Sequence, residues 1–158
     1  VQNETPADSA SDIAEWALGA HDRAVGIAEM IGVGAERYTQ DPLTLLPRLQ
    51  NYVDRLPLSS FEQSDWITLH TDLTAYLGDL MVRRHNATWV KVSDSSSPVG
   101  YRYLIETTGI DGATYRMEPY DVSMEEFEHL PIEITRMVAN AEAVLHVAPE
   151  IRADTVGD

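Results

Sequence analysis

The stretch from Ser64 to Ser93, SDWITLHTDLTAYLGDLMVRRHNATWVKVS, constrains the fold more than any other part of the chain. At about 100° per residue from Trp66, the side chains Leu69, Leu73, Tyr76, Leu77, Leu80 and Met81 fall in one arc, with Ile67 beside it. That arc requires a core to face. Asp65, Asp72 and Asp79 line a polar flank with Thr68, which is read as solvated, and Asp79 stands four residues before Arg83, the favourable order for a helical ion pair. Ser59, Ser60 or Ser64 is the expected cap, Ser60 with Gln63 as a capping box. Arg83, Arg84 and His85 place positive charge where the helix dipole favours it, and Asn86 is the expected stop. Three residues stand out. His70 and Arg84 lie inside the apolar arc, so they either face a crevice or are, respectively, a core histidine with one hydrogen bond and an arginine laying its methylenes on apolar surface. Gly78 costs about 1 kcal/mol against alanine in mid-helix, and close approach of another backbone is the expected reason.

Ahead of this segment two more helices are expected. From Ser11, Ile13, Trp16, Ala17, Ala20, Ala24, Ile27 and Ile31 recur at threes and fours on a small-residue face until Gly32-Val33-Gly34 stops the helix. The pair His21-Asp22 sits on its margin and reads as solvated. A shorter helix opens at Asp41-Pro42 or Thr44 and gathers Leu45, Leu46, Leu49, Tyr52, Val53 and Leu56, with Pro47 tolerated only in its first turn. Residues 87 to 118 switch to alternation and give three strands, joined by the loop Asp94 to Gly100 and then by the tight Gly109-Ile110-Asp111-Gly112 connection. Ser123 with Glu126 reads as a second capping box, and Ile134, Met137, Val138, Ala141, Val144 and Leu145 as a final helix.

The fold class is therefore α+β: three N-terminal helices, a three-stranded antiparallel meander, and a C-terminal helix packed with the others on one face of the sheet. One domain over residues 9–149 is expected, with 1–8 and 150–158 as disordered tails. The formal net charge of −15, from 26 acids against 11 bases, is spread as −9 over residues 1–79 and −6 over residues 80–158. Such a field disfavours nucleic acid and anionic membrane and favours a protein partner with a basic surface. The polar opening lacks the order of a signal peptide and no apolar run approaches a membrane span, so a cytoplasmic location is expected.

Catalytic signatures are sparse. No cysteine is present, which excludes thiolate chemistry and disulfides. His129 and Glu133 are separated by a helix-breaking Pro131, so no metal site is expected. The glycines at 32 and 34 follow a helix instead of opening one, so no phosphate cradle or nucleotide cofactor is expected. What remains is a candidate binding constellation of His70, Arg83, Arg84, His85, Tyr101 and Tyr103 near the helix-to-strand junction. The two tyrosines either stack a ligand or pair as ordinary core.

The run Tyr76-Leu77-Gly78, then Arg83-Arg84 and Trp89, followed by a tyrosine-rich strand pair and a proline-containing C-terminal helix, resembles a class of small uncharacterised bacterial α+β domains, several from actinobacteria. The likeness covers roughly residues 60 to 145 and implies no activity or catalytic residue. More loosely the chain resembles the compact acidic immunity proteins paired with bacterial toxins. The leading expectation is a non-enzymatic acidic protein–protein interaction domain, and the alternative is a small-molecule-binding or enzymatic domain with a crevice between the central helix and the sheet.

Overall fold

The computed structural model describes residues 6–148, the side chains of 6–10 excepted. Six α-helices and one three-stranded antiparallel sheet make up the described chain, an α+β fold: α1 (Pro6–Met30), α2 (Ala35–Gln40), α3 (Leu46–Asp54), α4 (Gln63–His85), β1 (Thr88–Ser93), β2 (Tyr101–Thr108), β3 (Thr114–Met117), α5 (Pro119–Phe127) and α6 (Ile134–Leu145). The segment expected to organise the fold is α4, with α1 against one side, α5 against another, and β1 and β2 beyond its C-terminal half. Its arc is buried from Leu69 to Met81, whereas Ile67 at the first turns is exposed.

The strand order is β1-β2-β3, the meander that the alternation implied. Trp89 pairs with Ile105 and Ile105 with Met117, so these three side chains share one face, and all three are buried. Tyr103 and Tyr101 continue that face towards the open end of β2, opposite Lys91 and Ser93. Buried apolar residues of α1, α3, α4, the sheet and α6 form one connected core.

Several expectations are corrected. Helix α1 begins at Pro6, so residues 6–8 are helical and not part of a disordered tail; proline's fixed φ suits the first turn of a helix. Residues 1–5 and 150–158, where the rest of the tails was expected, lie outside the described residues. A fourth helix, α2, precedes the sheet; it has only six residues, too few to show a period, and it is held by the buried Tyr38. The cap of α4 is Glu62, whose backbone N–H donates to Asp65 at 2.9 Å, and not a serine. Asn86 does end α4, in the left-handed conformation at φ 53°. Helix α5 starts at Pro119, so Ser123 is no cap: it is buried in mid-helix, donates to the Pro119 carbonyl at 2.8 Å and lies 2.9 Å from the Thr74 hydroxyl. Pro47 occupies the first turn of α3, where it costs no hydrogen bond.

The polar flank of α4 is also corrected. Asp65 is exposed and Asp72 half-buried, but Asp79 is buried, and its Oδ2 accepts from the Tyr38 hydroxyl at 2.6 Å and from Arg83 Nε at 3.2 Å. His21 Nδ1 is 2.9 Å from the same oxygen, so the histidine expected in solvent pins α1 to α4. The small-residue face of α1 supplies the proximity that this network needs: Ala20, Ala24 and Ala28 are all buried. Gly78 serves a different purpose from the one expected. Its neighbour is not a backbone but the indole of Trp89, and a Cβ at position 78 would overlap Cζ2 and Cη2 of that ring.

Candidate functional site

Where α1, α4 and the sheet meet, the packing leaves two adjoining compartments of a cleft. The larger, about 600 Å³, is walled by the β1–β2 loop, by Tyr101, Arg102 and Tyr103 of β2, and by Glu118 to Asp121 at the start of α5. The smaller, about 450 Å³, lies between α1 and α4 and reaches Gly19, Arg23 and His70. Trp16, Thr74, Trp89 and Tyr120 line both. Volumes of this size fit small organic ligands.

The walls follow from local structure. Strand alternation sends Trp89, Tyr101 and Tyr103 to the face that α1 and α4 cover, where Trp89 is buried and the two tyrosines are only half-buried. Trp16 lies parallel to Tyr103 with ring centroids 3.9 Å apart, and edge-on to Trp89 at 5.7 Å. Tyr101 stands at 73° to Tyr103 with centroids 5.5 Å apart. His70 is buried, its Nε2 donating to the Tyr120 carbonyl at 2.8 Å, with the two rings 4.2 Å apart. A mid-helix histidine thereby ties α4 to the first turn of α5 and fixes the Tyr120 ring at the mouth.

Charge is organised at the rim. The Tyr103 hydroxyl donates to Asp12 at 2.8 Å, and Lys91 Nζ is 3.1 Å from the same carboxylate and 4.1 Å from the centre of the Tyr101 ring. The Tyr103 hydrogen bond and then Lys91 hold the Asp12 carboxyl below the usual range, while desolvation and Asp12 push the Tyr103 phenol above its own. Across the larger compartment Arg102 bridges Asp94 at 2.7 Å and Glu118 at 2.5 Å. Asp94 is lowered chiefly by the hydroxyl and backbone N–H of Ser96, whereas Glu118 is raised by burial and then by Asp121 beside it. The indole N–H of Trp89 is buried with no acceptor among the described residues.

The structure thus brings Tyr101 and Tyr103 to the larger compartment and His70 to the adjoining smaller one, and places the basic cluster elsewhere. Arg83 is engaged by Asp79, and Arg84 and His85 lie 3.7 Å and 2.6 Å from Glu142 of α6. Charge at the end of α4 is therefore matched internally, as the dipole argument allows. Trp16, Trp89, Arg102, Glu118 and Tyr120 were not among the expected site residues. The signal for them was faint: two tryptophans that fit an apolar period and a Glu-Pro-Tyr-Asp run directly after a strand. No described helix is long and apolar enough to cross a membrane, and no cluster able to hold a metal ion occurs among the described residues. No family model, curated protein or solved structure matches the chain, so the roles of these residues are argued from geometry alone.

Proposed function

We propose that this chain is a binding domain for a small organic molecule, held in the aromatic cleft between α1, α4 and the sheet. The observation that carries the reading is a shared wall: Trp16, Thr74, Trp89 and Tyr120 line both compartments, one of which reaches His70 and the other the tyrosine strand. Flat aromatic walls with a few polar groups at the rim bind by apolar burial and use the polar groups for orientation. His70 is a positioning residue here: its bond to the Tyr120 carbonyl sets the mouth. The Nε2 of His70 is committed to that backbone carbonyl, so binding and not catalysis is the proposal.

The test is ligand-induced thermal stabilisation across a library of small aromatic and aliphatic compounds. A ligand at a hundred times its Kd adds about 2.7 kcal/mol of stability. Gly19→Leu is the blocking variant, because Gly19 lines the smaller compartment and a Cβ there meets nothing within 4 Å. Stabilisation of the wild type that Gly19→Leu abolishes supports the reading; stabilisation that survives both Gly19→Leu and Trp16→Ala refutes it.

A second reading, an acidic interaction domain for a protein with a basic surface, is favoured by the net charge of −15. Nucleic acid is disfavoured by the same field. Its measurement is capture of a defined basic partner at low salt that is lost at high salt and untouched by Gly19→Leu.

A further inference from the structure

We infer that the ligand of the cleft is an organic cation, an ammonium group carried on an apolar body. This rests on the cleft reading above and specifies its chemistry. Four carboxylates, Glu15, Asp94, Glu118 and Asp121, line the two compartments against two guanidinium groups. Both guanidinium groups are already ion-paired. Arg102 is held between Asp94 and Glu118, and Arg23 donates to Asp72 at 2.7 Å. An entering anion meets an excess of carboxylate around these pairs, whereas a cation is attracted by it.

The carboxylates are not all at ease. Glu118 is partly buried beside Asp121, and the two repel, with Arg102 bonded to Glu118. A second positive charge in the larger compartment relieves that repulsion. The aromatic rings complete the recognition. Trp16 and Tyr103 share one plane direction, while Trp89 and Tyr101 each stand steeply to it, so π faces and edges of several orientations surround one space. The negative face of an aromatic ring attracts ammonium groups, most strongly when they are desolvated. The protein already uses this pairing internally: Lys91 rests over Tyr101 while its ammonium is bonded to Asp12.

The experiment compares three probes of nearly equal shape by calorimetry on the full chain: (4-hydroxyphenyl)trimethylammonium, its uncharged isostere 4-tert-butylphenol, and 4-hydroxybenzenesulfonate. The cation is expected to bind at least about tenfold more tightly than the neutral isostere, equivalent to about 1.4 kcal/mol, and the anion not measurably. Asp121→Asn, at an exposed position that retains shape, is expected to weaken the cation about threefold to tenfold and leave 4-tert-butylphenol unchanged. Trp16→Ala, with folding verified by circular dichroism, is expected to abolish binding of both.

Equal affinity for the cation and its isostere, or preference for the sulfonate, overturns the cation inference while leaving a functioning cleft. Cation binding that persists in Trp16→Ala overturns it as well, because the probe is then held by the general acidic surface. Binding of none of the three overturns the inference and the cleft reading together.

Discussion

Replacing Gly78 by alanine sets local propensity against tertiary packing in one measurement. In an isolated helix the substitution is favourable by about 1 kcal/mol, since glycine loses more backbone freedom on folding than alanine does. In the folded protein the added methyl group overlaps Cζ2 and Cη2 of Trp89 and lies 3.1 Å from Cε2, and the indole is only 7 % exposed, with core on its other side. Overpacking of this kind costs about 1–3 kcal/mol, and direct overlap with a rigid ring places it at the upper end. The net expectation is a loss of about 2 kcal/mol, or a fall in Tm of roughly 4–8 °C for a chain of this size. Trp89→Phe removes the overlapped part of the ring, so in that background Gly78→Ala is expected to stabilise by about 1 kcal/mol. The double-mutant coupling is then about 3 kcal/mol. Urea unfolding followed by far-ultraviolet circular dichroism measures all four corners. If Gly78→Ala stabilises the wild type, or if the two substitutions are additive, Trp89 does not pack on α4 and the wall shared by both compartments is wrongly placed.

Asp79→Ala leaves the Tyr38 hydroxyl and Arg83 without their buried acceptor and is expected to cost about 3–5 kcal/mol in chemical denaturation, whereas Asp72→Ala, half-buried and paired only with Arg23, costs about 1 kcal/mol or less. Gln50 straps α3 to α6 through bonds to the Ile132 carbonyl at 2.9 Å and from the Ile134 N–H at 2.7 Å, so Gln50→Ala is expected to cost about 1–3 kcal/mol and to speed amide exchange at Ile134. Desolvation first, then Asp79, holds the Tyr38 phenol above the usual tyrosine range. A folded pKa raised above the unfolded one contributes stability that is complete below about pH 10 and is lost as pH rises, at about 1.4 kcal/mol per pH unit, so Tyr38→Phe is expected to flatten the alkaline limb of the stability profile. At the acid end the sign reverses for Asp12: the stability from its lowered pKa is present above the ordinary carboxylate range and is lost as pH falls, and Tyr103→Phe is expected to move the Asp12 titration, followed by NMR, back towards that range.

Much of this architecture is legible without coordinates because periodicity reports which face of an element is buried. The arc of α4, the small-residue face of α1 and the three alternating strands with a meander order all follow from it. Short elements escape this kind of reading: α2 is too brief to show a period, and the start of α5 was displaced because a Ser-x-x-Glu pattern looks the same inside a helix as at its cap. The candidate site was legible in half. His70 was suspected because it broke the apolar arc and Tyr101 and Tyr103 because aromatic rings can stack a ligand, while Arg83, Arg84 and His85 were suspected by charge and are matched within the fold by Asp79 and Glu142.

The residues that escaped notice are those whose local pattern was unremarkable. Asp79 belongs to a polar flank by its angle on the helix, yet Tyr38 and His21 come from elements 41 and 58 residues away to cover it. Trp16 and Trp89 fit core positions, and only the packing of α1, α4 and the sheet leaves them lining a cavity. The one-dimensional pattern determined the elements, their order and the acidic character of the chain, because these depend on neighbours within a turn or a strand. Which acid is buried, which glycine faces an indole and which aromatic rings surround a cleft depend on side chains that meet only when distant segments pack, and the folded structure alone decided them.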